Sequence, residues 1–370
     1  MKIMSETSQP QTRYRDKHVT VKPKQRPTVA GNVAPHSKLS TANAEKTLAT
    51  NTGPIRTDLD RLVRSMTAQW MNGPPRAILL ATDLSARSDR ALDRAALLAK
   101  HWQAQLTVLH VLEDPGPTSH LMDPLPSWSR PPDPLSIARK NIFSELSELA
   151  EKATILIEEG DPVESIVRVA NKDNSELIVI GVARNELFGQ LSFGRTVDRL
   201  LRRSQAPLLV VKERARRPYR HIVVATDFSE SSRHALVAAT RFFPEETLTI
   251  FHAYDAPMSG LITDVATYRR ECRKVAAQDC EAFLRDTEKL KNEWRRPNVL
   301  IEYGAPSHLL HDYVVDNAVD LVVLGTHGRS VLSDVLIGSV AKCILDDVPC
   351  DTLVIREPLT HIKPLIPPAS

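Results

Sequence analysis

The chain has 370 residues, with 48 Lys and Arg against 45 Asp and Glu, a length that favours two domains of roughly 150 residues over a single core. Its 42% hydrophobic content is ordinary for a soluble protein. No stretch approaches the roughly 20 apolar residues of a membrane span, and the first thirty residues lack an apolar secretion segment, so a cytoplasmic protein is expected. Residues 1–54 hold nine basic and three acidic side chains, a net +6, which leaves −3 for the remainder and argues against a nucleic-acid-binding body.

Taken in order, residues 1–54 are rich in Thr, Ser, Gln, Lys and Pro, with apolar residues at no fixed period. Such a stretch cannot bury enough surface to offset the entropy of ordering, and a disordered basic tail is expected. Two readings stand for it: a solubilising leader, or a segment that touches anionic lipid, RNA or an acidic partner. Residues 55–75 change character. Ile55, Leu59, Leu62, Val63, Met66 and Trp70 recur at helical spacing behind Pro54, which suits a first helical turn. This amphipathic helix either docks on the first domain or presents itself to a partner, and Asn72 to Pro75 ends it.

Residues 76–213 alternate strand and helix patterns. Strands are predicted at Ala77–Ala81, Leu106–Val111, Thr154–Glu158, Leu177–Ile180 and Pro207–Val211. Helices are predicted at Ser88–His101, Ile137–Lys152, Val163–Asn171 and Val197–Arg203, and seven prolines make 114–134 a loop. That alternation argues for a parallel sheet covered on both faces. Arg214 to Pro218 form a short linker, which implies that the two domains touch.

The pattern then restarts over residues 219–357, and 358–370 form a proline-bearing tail. Asp83 answers to Asp227, Ser85 to Ser229, Gly160 to Gly304, Gly181 to Gly325 and Gly194 to Gly338, every pair 144 residues apart. A constant offset over so many landmarks is a duplication. The four cysteines, Cys272, Cys280, Cys343 and Cys350, match no zinc spacing and read as buried small hydrophobes.

The most informative stretch is Leu321–Leu345. An uncharged apolar strand ends in Gly325-Thr-His-Gly328, and Gly338-Ser339-Val340 open a helix ten residues later. The glycines would let the backbone turn sharply off the strand. Gly338 and Ser339 would offer N–H groups and a hydroxyl at a helix N-terminus, a seat for phosphate oxygens. The spacing Gly-x2-Gly-x9-Gly-Ser is neither the P-loop nor the dinucleotide fingerprint.

This motif resembles the nucleotide-binding motif of the universal stress protein family, and the resemblance covers residues 76–356 as two tandem copies. It implies two open parallel-sheet domains of the adenine nucleotide alpha hydrolase-like, Rossmann-like kind, with ATP as ligand, with or without Mg²⁺. Carried over residue by residue, the nucleotide contacts are Asp227, Ala253, Gly325, Gly328, Arg329, Gly338, Ser339 and Val340, with Ala253 and Tyr254 read as following the second strand. Bland alternatives exist: Asp227 could cap the following helix, and Ser339 alone could be an N-cap. In the first copy Arg184 and Arg195 stand where the second glycine and the serine should be, so a degenerate site is expected there. The resemblance also implies an internal pseudo-dimer in which Pro207–Val211 meets Leu353–Ile355 with Arg356 and Glu357 at its edge, or a homodimer.

No catalytic residue and no metal set is singled out. His327 lies in the loop with no carboxylate at catalytic spacing, and Asp334 is the only acid inside the motif. A nucleotide-dependent stress sensor or regulator, acting through an unidentified protein partner, is the expected function. A slow ATPase or a nucleotide-free scaffold are the alternatives.

Overall fold

A computed structural model describes residues 73–85, 88–112, 136, 140, 153–182, 184–185, 190–191, 195–257, 262–289, 295–326 and 337–356. The tail of residues 1–54, nearly all of 55–75, the proline-rich loop, most of the helix expected at Ile137–Lys152, and residues 358–370 lie outside them.

In the first half the strands are β1 (Ala77–Thr82), β2 (Gln105–Leu112), β3 (Ala153–Glu159), β4 (Leu177–Gly181), the two-residue β5 (Arg184–Asn185) and β6 (Gln190–Leu191), and β7 (Leu208–Val211). Its helices are α1 (Asp89–Trp102), α2 (Pro162–Lys172) and α3 (Arg195–Arg203). The second half has β8 (Ile222–Ala225), β9 (Leu248–Tyr254), β10 (Asn298–Tyr303), β11 (Leu321–Gly325) and β12 (Asp351–Ile355). Its helices are α4 (Glu230–Phe242), α5 (Val265–Glu288), α6 (Pro306–Asp316) and α7 (Ser339–Asp347). Each of the five strands expected in the first copy is found within one residue at either end. The β5–β6 hairpin had no signal in the sequence.

Ten strands form one sheet in the order β10-β9-β8-β11-β12-β7-β4-β1-β2-β3. All pairs are parallel except one, β12 with β7, where Thr352, Leu353 and Val354 lie opposite Val210, Leu209 and Leu208. The two halves thus share one sheet across a pseudo-two-fold seam. Residues alternate between its faces: Ile78 and Leu80 join the core under α1, α4 and α5, while Leu79 and Ala81 join that under α2, α3, α6 and α7. Both cores run through both halves.

The repeat persists in backbone detail. Three pairs of left-handed residues lie 144 apart: Leu84 and Phe228, Asn174 and Ala318, Gly160 and Gly304. A bulky residue pays for that conformation, and a local turn holds it. The Thr82 hydroxyl accepts from the Leu84 N–H and the Thr226 hydroxyl from that of Phe228. The clamp between first and fourth strands also recurs, Glu176 accepting from the Arg76 N–H and Asp320 from those of Arg220 and His221.

The seam carries buried charge. Asp351, fully buried, accepts from the N–H groups of Lys212 and Glu213 with one oxygen. With the other it accepts from Arg94 Nε at 3.1 Å and the Tyr219 hydroxyl at 2.6 Å. Arg94 also lies over the Tyr219 ring and donates to the Arg217 carbonyl, so the linker is pinned to α1. At each end of the seam a cation crosses to the other half. Lys212 Nζ donates to the carbonyls of Leu345 and Val348 at the end of α7, and Arg356 Nη1 to those of Arg202 and Ser204 at the end of α3. Lys212 and Arg356 are themselves 144 residues apart.

The cysteine expectation needs correcting. Cys280 and Cys350 are buried, and burial pushes their thiols up to about 11 and about 12. Cys272 is half-buried and Cys343 exposed, because only part of the α5 and α7 surfaces faces the core. Among the described residues no helix is long and apolar enough to cross a membrane.

Gly325 also differs from expectation. It ends β11 rather than turning off it, and a Cβ there would stand 2.5 Å from Ser231 Oγ and 2.7 Å from the Ser231 carbonyl atoms. The glycine is required by the close approach of α4 to the strand.

Three outcomes are expected. Asp351→Ala leaves Arg94 buried without its partner and should remove about 3–5 kcal/mol of stability in denaturant titration; a loss below about 1 kcal/mol would contradict the role given to the pair. Gly325→Ala should cost about 1–3 kcal/mol by overpacking against helix backbone, read as a lowered Tm. Burial pushes Lys212 down from 10.5 to about 8, so the unfolded chain holds this proton more tightly. The cost of charging Lys212 is therefore full below about pH 8 and relieved as pH rises to about 10.5. The stability of the native chain relative to Lys212→Met should increase across that window, and a flat difference would refute the assignment.

Candidate functional site

Within the second half the strand order reverses between β8 and β11, because β9 and β10 extend one way and β12 the other. In an open parallel sheet this reversal opens a crevice beyond the carboxyl ends of the strands. Of the expected contact residues, Asp227, Ala253, Gly325, Gly338, Ser339 and Val340 are described, and they lie along these strand ends and at the start of the helix that follows β11.

After β8, Thr226 is buried, and its hydroxyl meets that of Ser232 on α4 at 2.9 Å. Asp227 follows, half-buried, with Oδ1 accepting from the Ser229 N–H at 3.1 Å. It does not cap α4. Ser229 does, its hydroxyl accepting from the Ser232 N–H. Asp227 thus sits in a turn, two residues past the end of β8.

Ala253 lies inside β9 rather than after it, because β10 continues to pair there, with Glu302 opposite Ala253 and Tyr303 opposite Tyr254. On its other side β9 is matched only as far as Phe251, whose carbonyl accepts from the Thr226 N–H. Peptide groups two apart point the same way along a strand, so those of Ala253 face the space beyond the last residue of β8.

On the β11 side, Thr326 is buried and held at both ends. Its N–H donates to the Ile355 carbonyl at 3.1 Å, and its own carbonyl accepts from the Gly338 N–H at 2.8 Å. The expectation that Gly338 offers its N–H to a ligand is therefore corrected, since that group closes the motif on itself. Gly338 is the N-cap of α7, with an extended φ of −62°, and no side chain among the described residues caps the helix. The N–H groups of Ser339, Val340 and Ala341 have no acceptor within the helix, and Ser339 and Val340 are exposed. Gly328, Arg329 and His327 lie outside the described residues.

One residue escaped the sequence reading. His252 of β9 donates from Nδ1 to the Thr226 carbonyl at 2.8 Å, and its ring stacks on Phe228 with centroids 4.2 Å apart. The carbonyl can only accept, so the proton belongs on Nδ1. His110 makes the same bond to Thr82 in the first half. The signal was a histidine on the second strand of both copies, legible only once their strands are aligned.

The first half keeps the crevice topology with a different lining. Asp83 Oδ1 accepts from the Ser85 N–H and from the hydroxyls of Ser85 and Ser88, both at 2.6 Å. Burial alone would raise its carboxyl, but the bonds from Ser85 and Ser88 outweigh it and hold the carboxyl below its ordinary value. Arg195, exposed, is the first residue of α3, where α7 has Ser339. Arg184 falls in the β5–β6 hairpin. Among the described residues no three His, Cys, Asp or Glu side chains gather to hold a metal ion.

Comparison with known proteins agrees with this architecture. The chain is 22% identical over 306 residues to Universal stress protein E of Photorhabdus laumondii, a match covering 75% of this chain and 94% of the relative. It is 31% identical over 160 residues to the stress response protein NhaX of Bacillus subtilis, which covers 36% of this chain and 96% of the relative. A crystal structure of a universal stress protein from Archaeoglobus fulgidus shares the fold, with a TM-score of 0.52, 20% identity, and 76% of this chain and 98% of that one covered. The sequence pattern of the Universal stress protein family matches residues 75–212 and again residues 218–356, so the chain belongs to that family and carries its domain twice.

Proposed function

We propose that the second half binds an adenine nucleotide, ATP foremost, and that occupancy makes the chain a nucleotide-dependent sensor or regulator in a stress response. The observation that carries the reading is the meeting of two opposite polarities across one strand-order reversal. A carboxylate, Asp227, stands after β8, and an uncapped helix N-terminus, Gly338-Ser339-Val340, stands after β11. A nucleoside phosphate has matching ends: hydroxyl donors on its sugar and anionic oxygens on its phosphates.

The residues fit such a ligand. Asp227 is an acceptor for ribose hydroxyls, and Ala253 turns its peptide groups toward the same side. The N–H groups at the start of α7 and the Ser339 hydroxyl suit phosphate oxygens, favoured by the positive end of the helix dipole. Gly325 supports them indirectly by letting β11 press against α4. Gly328 and Arg329 complete the proposed set, the arginine adding a charge-assisted bond to phosphate. The first half is proposed to have lost this capacity, since a long arginine begins α3 where α7 has Ser339.

The test is calorimetric titration of the full chain with ATP and Mg²⁺. One ATP is expected per chain. Gly338→Asp should abolish binding without unfolding the protein, because aspartate is a favoured N-cap in extended backbone and sets its charge against phosphate. Asp83→Ala should leave binding intact. Absence of binding by the native chain, or equal loss in both variants, would overturn the reading.

A further inference from the structure

The nucleotide seat and the seam between the halves are joined by a single short helix. Helix α7 has nine residues, Ser339–Asp347, and is about 13 Å long. Its N-terminal turn faces the crevice. Its other end is gripped from the first half by Lys212, whose Nζ reaches the Leu345 carbonyl at 2.6 Å and the Val348 carbonyl at 2.7 Å. Lys212 is 1% exposed, and its own N–H is fixed by Asp351.

We infer that Lys212 is a positioning residue for the phosphate end of the ligand, acting through α7 from the opposite domain. This rests on the nucleotide reading above.

The argument is electrostatic and geometric. The aligned peptides of a helix place about half a positive charge at its N-terminus and half a negative charge at its C-terminus. In a helix this short, an anion at the first turn feels the far negative end as well. An ammonium seated on the last carbonyls cancels that end and adds its own attraction through interior of low dielectric. At about 15 Å and a moderate effective dielectric, the gain is about three- to tenfold in affinity for a multiply charged phosphate. It falls away for an uncharged nucleoside. The same grip fixes the helix axis, and Thr326, tied to both Gly338 and Ile355, fixes its entry.

The mirror-related cation separates this role from a general stapling of the seam. Arg356 makes the same kind of grip on α3, at the Arg202 and Ser204 carbonyls. It serves the half whose helix begins with Arg195, and the carbonyls it reaches belong to the end of α3. Its presence in the equivalent seat also shows that the geometry accommodates an arginine.

The experiment measures ATP and adenosine affinities side by side for the full native chain and for Lys212→Gln, Lys212→Arg and Arg356→Gln. In Lys212→Gln the preference for ATP over adenosine is expected to drop about three- to tenfold, with adenosine affinity held. Lys212→Arg and Arg356→Gln should keep the native preference. A preference unchanged in Lys212→Gln overturns the inference and leaves the nucleotide reading standing. Equal weakening of ATP and adenosine also overturns it, since lost packing alone does that. If Lys212→Gln fails to fold, Lys212→Arg decides, because the inference requires its preference to stay within about twofold of native. A native chain that binds no ATP removes the nucleotide reading, and the inference with it.

Discussion

A single buried carboxylate governs how the two halves meet. Asp351 begins the last strand, where the first copy has Pro207, and it gathers Arg94, Tyr219 and the backbone after β7 around itself. Burying a charge is tolerable only when every lone pair is used, and here both oxygens accept two bonds. The arrangement has no equivalent on the mirror-related side, where Ala238 answers to Arg94. The seam is therefore two-fold in its backbone and in its two crossing cations, and one-sided in its buried carboxylate. That asymmetry fixes which half is which. Asp198 and Lys342 make the same point at the surface: they occupy equivalent positions on α3 and α7 and pair at 3.3 Å. Two identical copies would have set like charges against each other there.

Much of the fold was legible before the structure because its strands are buried on both faces. Uninterrupted runs such as Leu321–Leu324 and Ile222–Ala225 have no other stable reading, and the 144-residue offset doubles every observation. The boundaries that slipped did so where a neighbour extends an element. Ala253 and Tyr254 look like loop residues until β10 pairs with them, and pairing is not written in local sequence. The small hairpin of β5 and β6 had no alternation long enough to see.

For the candidate site, the residue types were readable and their reasons were not. Gly325 looked like a turn glycine and proved to be a packing glycine, because nothing in its neighbours announces that α4 passes so close. Gly338 looked like a donor to ligand and instead donates to Thr326. Asp83 and Asp227 are identical in motif and the serine five residues on is present in both copies, yet Ser88 turns its hydroxyl to Asp83 while Ser232 turns its own to the Ser229 carbonyl. Cross-half bonds such as those of Lys212 were invisible in principle, since they depend on how two distant helix ends are juxtaposed.

The one antiparallel pair in the sheet also decides what can be taken apart. β7 and β12 are each the outermost strand of their own half, and each hides its open edge only against the other. A half cut free at the linker would present a flat apolar edge, Leu208 to Val211 or Leu353 to Ile355, with unpaired backbone groups. Such an edge recruits another strand. It would also shed the cation that closes its last helix, which is lodged in the other half. Tethering both edges in one polypeptide ensures that each meets its complement at equal stoichiometry, so the duplication is a means of assembly as well as of divergence.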